Sequence, residues 1–441
     1  MEDVASDHFG LSLSEGRVRH LLSSLYQGKK QRGFLAGVLA PDDAAATVDR
    51  AVGLCGAASD AADGFFSALV GLVHGEFGTV RLRSAGAVEN TLTPAFRELS
   101  LVLRRLREAL DREEDRYELN AYALRAGAIA DEAEALLAQQ MEGCAYWVET
   151  SAGEGHSRGL RVTLACSPID VAPILSRTLF GRGWSVVLTS ATLTTSRGSF
   201  DHARARLGCE ESGEASTLVL GSPFDHARQA ELHVHPRMPD PRNHAYEDAL
   251  SERIVEHIEA TDGGAFVLFT SFRTMHRVAE LLRGEVCGRL GMPMWVQGKD
   301  GSRAFILEKF REDERSVLLG TSSFWQGVDV QGRGLRNVII TRLPFDPPDR
   351  PLTQARSELI AERGGDPFME DAVPRAVIRF KQGFGRLIRS SGDRGRVVVL
   401  DPRLVKSGYG RIFLRALPEG VRVLVDGDEV ESEERRAGGR E

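Results

Sequence analysis

Paired cysteines are missing from this sequence. Its five cysteines lie far apart, at positions 55, 144, 166, 209 and 287, and none of them forms a Cys-x-x-Cys pair. Zinc ribbons and iron–sulfur frameworks place their thiolates at such short spacings, so neither is encoded locally and we expect no metal site. Scattered cysteines are typical of a protein of the reducing cytosol, where most act as small buried hydrophobes.

Long apolar runs and a leader-like start are missing as well. No apolar run reaches the ~18 residues from which a membrane-spanning helix is built. The first residues, Met1-Glu-Asp-Val, are acidic, and no apolar h-region follows them. We therefore expect a cytoplasmic protein with no membrane partner.

The sequence also has no excess of basic residues. The formal net charge is −7, since 63 acidic residues outnumber 56 basic ones. Bulk attraction to nucleic-acid phosphates is thereby excluded, so a nucleic-acid site has to be a local groove. The 441 residues and their 42% hydrophobic content are sufficient for two or three domains with buried cores.

What the sequence does contain is a change of pattern along the chain. Residues 1–145 favour helices, as in the apolar stripe at helical spacing over residues 99–110. From about residue 146 short β-branched runs predict strands, and from residue 230 such runs alternate with helical segments. The predicted strands cover residues 160–164, 184–188, 265–269, 317–319, 338–340 and 397–400, and the predicted helices among the later ones cover 244–260, 272–284, 303–312, 351–363 and 374–390. Because a parallel sheet buried on both faces requires this alternation, we predict a doubly wound α/β domain over residues 196–425.

Four segments place polar residues where such a domain carries function, at the carboxyl ends of strands. In the first, a predicted strand runs into Thr189, Ser190 and Thr192, whose hydroxyls can bond the backbone, a phosphate or a neighbouring loop. A strand end capped by hydroxyls explains this run equally well. In the second, Thr270 and Ser271 are placed to cap a helix that begins near Arg273, and the amino terminus of that helix could hold a nucleic-acid phosphate.

The third segment follows a predicted strand with Thr321, Phe324 and Trp325, and then with Gly327 and Asp329. Aromatic side chains can stack on bases, and a glycine lets the backbone approach a ligand closely. The carboxylate of Asp329 could orient an arginine or a ribose hydroxyl. Packing against the sheet is the alternative for both aromatic residues.

The fourth segment reads Phe-Lys-Gln-Gly-Phe-Gly-Arg-Leu-Ile-Arg-Ser over residues 380–390. It predicts Gln382, Arg386 and Arg389 on consecutive turns of one helix, with Gly383 and Gly385 leaving the backbone open. Arginine forks are permanently charged and suit a polyphosphate. A solvated, charged helix face is the ordinary alternative for such arginines.

Taken in order, the four segments resemble motifs III, IV, V and VI of superfamily 2 helicases, in the DinG/XPD-like branch. Ser167-Pro-Ile-Asp170, Gly221-Ser-Pro-Phe224 and Leu343-Pro-Phe345 match that branch as well. The resemblance covers residues 146–425 and implies RecA-like domains. Its implied boundaries are residues 1–25 and 146–195 for the remnant of a first RecA-like domain, 26–145 for a mainly α-helical, arch-like insertion, 196–425 for the second RecA-like domain, and 426–441 for a disordered tail.

The resemblance also implies roles for single residues. Arg389 would be the arginine finger, Arg386 would contact the γ-phosphate of ATP, and Gln382 would sense that phosphate or the attacking water. The remaining roles fall in three groups: Gly327, Asp329 and Gly385 at the nucleotide, Ser271, Arg273, Thr321 and Trp325 on loops facing single-stranded DNA, and Ser190 and Thr192 linking the two domains. The implied cofactors are ATP and Mg²⁺.

Two features of that family are missing. A phosphate loop needs Gly-x-x-x-x-Gly-Lys-Ser/Thr, and neither Gly28-Lys29-Lys30 nor Gly298-Lys299-Asp300 fits it. Asp131-Glu132-Ala133-Glu134 imitates the acidic Walker B box but lies in a helical run, so we interpret it as a solvated helix face. We therefore expect the chain to begin just after the acidic box, without the family's iron–sulfur cluster, whose cysteines precede that box.

These features predict the C-terminal half of a DinG-like ATP-dependent DNA helicase. Such a protein couples ATP hydrolysis to movement on single-stranded DNA and to duplex unwinding, 5′→3′ by resemblance, in DNA repair. Both ATP and Mg²⁺ need the missing half for binding, so the isolated chain is expected to be inactive. That half could come from a misjudged start codon, a split gene or a partner polypeptide. The alternatives are a non-catalytic, helicase-derived nucleic-acid-binding or scaffold protein and an inactive truncated fragment.

Overall fold

The structure is a computed structural model of the chain. It describes residues 1–429 except 76, 154–158, 196–197, 210–214, 322–323, 325–329 and 331–333. The chain folds as two compact units. The first contains Met1–Gly183, Arg206–Glu211 and Pro347–Arg363, and the second contains Trp184–Ala205, Ser212–Asp346 and Gly364–Glu441. Compact units need not coincide with domains of common descent, so the predicted domain boundaries stay predictions.

The first unit is built around a bundle of long helices, as the periodicity predicts. Leu99, Leu103 and Leu106 are fully buried, because residues three and four apart share a helix face. The long helices cover Ala45–Leu72, Leu92–Ala109 and Glu113–Leu137, and shorter ones cover Glu2–Phe9, Glu15–Leu25, Phe34–Gly37 and Ala172–Thr178.

The same unit contains an antiparallel sheet, which the helical prediction for residues 1–145 missed in part. Its strands are β1 (Leu11–Ser14), β2 (Gly78–Leu82), β3 (Cys144–Ala152) and β4 (Leu160–Pro168), in the order β1-β4-β3-β2. Strand β4 confirms the strand predicted at residues 160–164. Strand β1 pairs with β4 and places Leu11 opposite Cys166. Such a long-range pairing is not visible in local periodicity.

A helix from late in the sequence, Pro351–Glu362, also belongs to the first unit. Its Arg356 is 3% exposed and lies 2.9 Å from the carboxylate of Glu2. The Nε of Arg356 donates to the carbonyl of Ile169 at 3.2 Å. A buried guanidinium requires such partners, so these contacts hold the helix within the unit.

The second unit is a doubly wound α/β fold, as the alternation of strands and helices predicts. Its strands are β5 (Ala230–Val234), β6 (Ala265–Leu268), β7 (Met294–Val296), β8 (Val317–Gly320), β9 (Asn337–Ile340), β10 (Gly395–Val399), β11 (Arg422–Val425) and β12 (Asp428–Glu429). The sheet order is β12-β11-β5-β10-β9-β6-β8-β7, with parallel pairing from β11 to β7. Antiparallel β12 corrects the prediction that disorder begins at residue 426. The rest of the predicted tail, 430–441, lies outside the described residues.

Helices cover both faces of this sheet. They are His226–Gln229, Tyr246–Ala260, Phe272–Arg283, Arg303–Glu312, Val373–Phe384, Arg403–Lys406 and Gly410–Arg415. A separate short helix, Asp201–Leu207, spans the point where the chain passes between the two units. Strand side chains alternate between two cores, with Phe266 in one and Val267 in the other, as expected when both faces are covered. None of the helices in the described ranges is long and apolar enough to cross a membrane.

The strand predicted at residues 184–188 is wrong. This segment contains no strand, and Trp184 and Val187 are 65% and 82% exposed. A strand needs a hydrogen-bonded neighbour to be stable, and no strand of the described part of the chain pairs with this segment. The segment is therefore irregular despite its apolar, β-branched sequence.

Candidate functional site

The helix of the fourth segment ends sooner than predicted. Helix Val373–Phe384 stops at Gly385, and Arg386 and Arg389 follow in a turn rather than on the helix. The prediction of one helix over residues 374–390, with both arginines on a shared face, is therefore wrong. Gly385 is exposed, so its backbone is open as predicted, whereas Gly383 is buried within the helix, so the prediction for that residue is wrong.

A buried carboxylate explains why the helix does not continue. Asp393 is 5% exposed, and its Oδ2 accepts the backbone N–H groups of Arg389 and Ser390 at 2.8 Å each. Its Oδ1 accepts the Ser390 hydroxyl at 2.9 Å. These charge-assisted bonds replace the ones that a helix would supply. The carboxylate thereby folds the chain back and fixes the position of Arg389.

Arginines from two elements influence one another at this turn. Burial lowers the pKa of Arg386, and the charge of Arg303 lowers that pKa further. Burial also lowers the pKa of Arg389, where the Asp393 carboxylate opposes the effect and the charge of Arg311 adds to it. Arg303 and Arg311 lie on a single helix. Because guanidinium groups stay protonated in proteins, the cluster concentrates positive charge suited to an anion.

Gln382 carries an unfilled hydrogen-bond acceptor one helical turn before Arg386. Its Oε1 is buried and has no hydrogen-bond partner among the described residues. A buried polar atom left in this state costs about 1–3 kcal/mol. Such a cost calls for an explanation, and a ligand that completes the bond is one.

The first segment packs within the second unit. The ammonium of Lys381 donates to the carbonyl and hydroxyl oxygens of Thr194 at 2.8 and 3.0 Å, and burial lowers the Lys381 pKa. The hydroxyl oxygens of Ser190 and Thr192 lie 3.3 Å apart, and Ser190 is exposed. The hydroxyl segment is thus tied to the helix that precedes the arginines, while the linking role of Ser190 and Thr192 stays a prediction.

Ser271 caps its helix as predicted. Its Oγ accepts the backbone N–H of Thr274 at 3.4 Å at the start of helix Phe272–Arg283. Arg273 is exposed in the first turn of that helix. The helix amino terminus and the exposed guanidinium both offer donors to an anion after β6. Contact of either residue with nucleic acid remains a prediction.

Thr321 is buried rather than displayed at the surface. It is 3% exposed, and its backbone N–H and its hydroxyl both donate to Oε1 of Gln297, at 2.7 and 3.0 Å. The carbonyl of Gln297 lies 3.3 Å from Nε2 of His276, on the helix that Ser271 caps. Gln297 therefore joins the second segment to the third. The predicted contact of Thr321 with DNA stays a prediction.

The rest of the third segment is only partly described. Phe324 is fully buried and packs against Phe266 with ring centroids 6.3 Å apart, so it belongs to the core and does not stack on bases. Trp325, Gly327 and Asp329 lie outside the described residues, and their roles stay predictions.

Sequence reasoning overlooked Gln297, Arg303 and Lys381. Gln297 follows a short apolar strand directly, the same signal that drew attention to Thr321, so the strand-end rule could have found it. Arg303 opens a helix capped by Ser302, whose Oγ accepts the Phe305 N–H at 3.3 Å. Lys381 gave no signal, because burial of a lysine depends on which elements pack around it.

The second unit is defined by its sheet order, its polar loops after β6 and β8, and its arginine turn before β10. These features make it a RecA-like domain. Residues 254–420 match the family model of the helicase C-terminal domain. The chain thus carries a helicase C-terminal domain over these residues, which is consistent with the DinG/XPD-like superfamily 2 resemblance of its motifs.

The chain is similar in sequence to several curated proteins. An ATP-dependent DNA helicase, YoaA of Haemophilus influenzae, is 41% identical over 280 residues, or 64% of this chain and 41% of that protein. The ATP-dependent helicase DinG of Mycobacterium tuberculosis is 40% identical over 274 residues, or 62% and 40%. A 3'-5' exonuclease named DinG, from Bacillus subtilis, is 35% identical over 278 residues, or 62% and 29%. The chain thus matches about two fifths or less of the length of these relatives.

Solved structures extend the likeness to most of the chain. An XPD helicase structure covers 95% of this chain and 66% of its own length, with a TM-score of 0.54 and 14% identity. The structure of S. tokodaii Xpd4 covers 95% and 73%, with a TM-score of 0.53 and 14% identity. At this level of identity the likeness shows the fold alone.

Proposed function

We propose that this chain is the C-terminal half of a DinG-like ATP-dependent DNA helicase. In that role it couples ATP hydrolysis to movement along single-stranded DNA and to duplex unwinding, in the 5′→3′ direction that the resemblance implies. One observation carries the proposal, namely the turn that Asp393 folds after helix Val373–Phe384. It brings Arg389 and Arg386 into one positively charged cluster, which a polyphosphate would neutralise.

The residues of this turn fit a triphosphate. ATP bound with Mg²⁺ supplies the phosphoryl group that is transferred to water. Arg386 and Arg389 bind its terminal oxygens, with Arg389 as the arginine finger, a role worth about 10³–10⁵ in rate. Gln382 accepts a hydrogen bond through its orphaned Oε1. An acceptor suits the attacking water better than an ionised phosphate oxygen, which has no proton to donate.

The loops after β6 and β8 supply the DNA contact in this proposal. The amino terminus of helix Phe272–Arg283 and the guanidinium of Arg273 bind a backbone phosphate. Thr321 takes part through its backbone position, since its hydroxyl donates to Gln297. Because Gln297 bridges both loops, a displacement of one loop by DNA is passed to the other.

The chain supplies half of the nucleotide site. No Gly-x-x-x-x-Gly-Lys-Ser/Thr sequence occurs in its 441 residues. The phosphate loop and the acidic box therefore have to come from a longer reading frame or from a partner polypeptide. Alone, the chain binds single-stranded DNA without hydrolysing ATP.

The test compares the chain alone with the chain supplied with a DinG-type segment that carries the phosphate loop and acidic box. We expect DNA-stimulated ATP hydrolysis only in the second case. There, Arg389→Ala should lower kcat by about 10³, while Arg415→Ala, which removes an exposed arginine outside the turn, should not. Turnover by the chain alone, or an unimpaired Arg389→Ala protein, would contradict the proposal.

A non-catalytic nucleic-acid-binding protein is the second candidate, favoured by the missing phosphate loop. It predicts that the supplemented chain stays inactive while the chain alone binds single-stranded DNA. Binding should then weaken on Arg273→Gln and persist on Arg386→Gln. Hydrolysis by the supplemented chain would rule this candidate out.

A further inference from the structure

An arginine-lined cavity of about 290 Å³ lies in the second unit, on the other side of the arginine turn from the proposed nucleotide half-site residues Gln382 and Arg386, neither of which lines it. Among its described lining residues, several arginines face a single glutamate. These residues are Arg228, Arg336, Arg394, Arg396 and Arg422, with Glu231. In a chain whose net charge is −7, such a local excess of one sign marks a site of its own.

The cavity lies at the amino-terminal edge of the parallel sheet. Arg394 precedes β10, Arg336 precedes β9, and Arg422 is the first residue of β11. The loops of Ser271 and Thr321 follow the carboxyl ends of β6 and β8, at the opposite edge. The cavity is therefore separate from the surface proposed above to bind DNA.

The arginines around the cavity differ in how many hydrogen-bond and ion-pair partners they have. Arg422 pairs with Glu231, and Arg228 lies 3.5 Å from the carboxylate of Asp225. Arg336 donates from Nη2 to two neutral backbone carbonyls, at 2.7 and 3.2 Å, and its buried Nε has no hydrogen-bond partner in the described part of the chain.

Arg396 carries the strongest signal, and the exposed Arg394 lies two residues before it. Neither side chain has an ion pair or a hydrogen bond with any described residue. Arg396 is half-buried, and burying a guanidinium is costly unless an anion compensates its charge. The charge of Arg396 also lowers the pKa values of the nearby His233 and His257. The electrostatic effect of this charge therefore reaches residues outside the lining of the cavity.

We infer that this cavity binds a phosphate group, either of an oligonucleotide backbone or of a free polyphosphate. Arginine forks match tetrahedral oxyanions in charge and in hydrogen-bond geometry. The cavity also adjoins the arginine turn, because Gln229 in its lining donates to the carbonyls of Ser390, Ser391 and Asp393. A phosphate bound in the cavity therefore lies next to the loop that positions Arg389.

The test is a calorimetric titration of the full chain with pyrophosphate. The variant Arg394→Gln/Arg396→Gln should weaken binding at this site by at least about tenfold, because each charge-assisted bond lost is worth that much or more. The matched control, Arg242→Gln/Arg415→Gln, removes two exposed arginines outside the cavity and should leave the affinity unchanged. Arg394→Lys/Arg396→Lys keeps both charges and should retain most of the binding. A thermal melt of each variant verifies that it folds.

Two further arms separate the possible sources and the two proposals. If the phosphate belongs to an oligonucleotide, the cavity variant should also flatten the salt dependence of single-stranded DNA binding by about one unit of slope. If it belongs to a free polyphosphate, DNA binding should not change. Arg386→Gln/Arg389→Gln reports on the nucleotide half-site alone and should leave the cavity's affinity intact. Equal pyrophosphate binding by wild type and cavity variant would overturn the inference, whatever happens at the arginine turn.

Discussion

The carboxylate of Asp393 accepts the backbone N–H of Arg389 at 2.8 Å. This bond, made four residues along the chain, sets the path of the backbone where a helix would otherwise continue. The direction in which the Arg389 guanidinium leaves the chain therefore depends on a buried acid that takes no part in binding. In the proposed half-site, Asp393 positions the arginine finger.

Replacing Asp393 tests that dependence. Asp393→Ala removes three hydrogen bonds to a buried carboxylate and should lower the free energy of unfolding by at least about 2 kcal/mol. Urea denaturation followed by circular dichroism measures the change. Asp349→Ala, at an exposed aspartate, is the control and should stay within about 0.5 kcal/mol of wild type. An equal effect of both substitutions would show that the turn does not need the carboxylate.

The contact between Lys381 and Thr194 should hold the hydroxyl segment in place. Lys381→Met keeps the apolar stem but removes both hydrogen bonds to Thr194. The segment should then open more often, and chymotrypsin should cleave after Leu193 about tenfold faster than in wild type. Lys406→Met, at an exposed lysine, is the matched control. Unchanged cleavage in Lys381→Met would mean that other contacts hold the segment.

A buried histidine pair gives the second unit a defined response to pH. The Nε2 atoms of His235 and His257 lie 2.7 Å apart, and both residues are buried. Burial lowers the pKa of His257 to about 3, and the charges of His235, His233, Arg396 and Arg253 act in the same direction. The pair is neutral in the folded protein, one ring donating and the other accepting.

Stability should therefore fall as the pH falls. The unfolded chain binds a proton on His257 below about pH 6.5, whereas the folded chain does so only near pH 3, so stability is lost between these values at about 1.4 kcal/mol per pH unit. His257→Gln can keep a hydrogen bond to His235 but cannot titrate. Denaturant midpoints measured at pH 7.5 and pH 5.5 should differ less in this variant than in wild type. An unchanged difference would assign the pH response to other groups.

Arg356 should be a major stabilising residue of the first unit. Arg356→Ala removes one of the two guanidinium partners of the Glu2 carboxylate, since Arg206 also contacts it, and it removes the hydrogen bond to the carbonyl of Ile169. Loss of these charge-assisted contacts should cost at least about 1.5 kcal/mol. Arg363→Ala, on the exposed side of the same segment and 3.8 Å from Asp170, should cost less than about 1 kcal/mol. Urea unfolding followed by circular dichroism compares the two. Similar losses would refute the buried pair as an anchor.

Much of the fold could be predicted because its signals are local. The strands at 265–269, 317–319 and 338–340 lie where runs of consecutive apolar residues predicted them, since a buried parallel strand shows its environment in its own sequence. Ser271 was recognised as a cap because a cap is defined by its own helix. The strand predicted at 184–188 failed because an apolar run becomes a strand only if a neighbour pairs with it, and that neighbour is not local information.

The sequence by itself determined the α/β class, the four ordered motifs and the absence of a phosphate loop, because each of these depends on residue types at short spacing. Only the tertiary structure decided that Arg386 and Arg389 lie in a turn, that Gln297 accepts a hydrogen bond from the hydroxyl of Thr321, and that Pro351–Glu362 packs in the first unit. All three depend on a buried polar group finding its partner, which lies within four residues for Asp393 but far along the chain for Gln297 and Arg356. Burial makes that partner obligatory, but which residue it is becomes fixed only when the chain has folded.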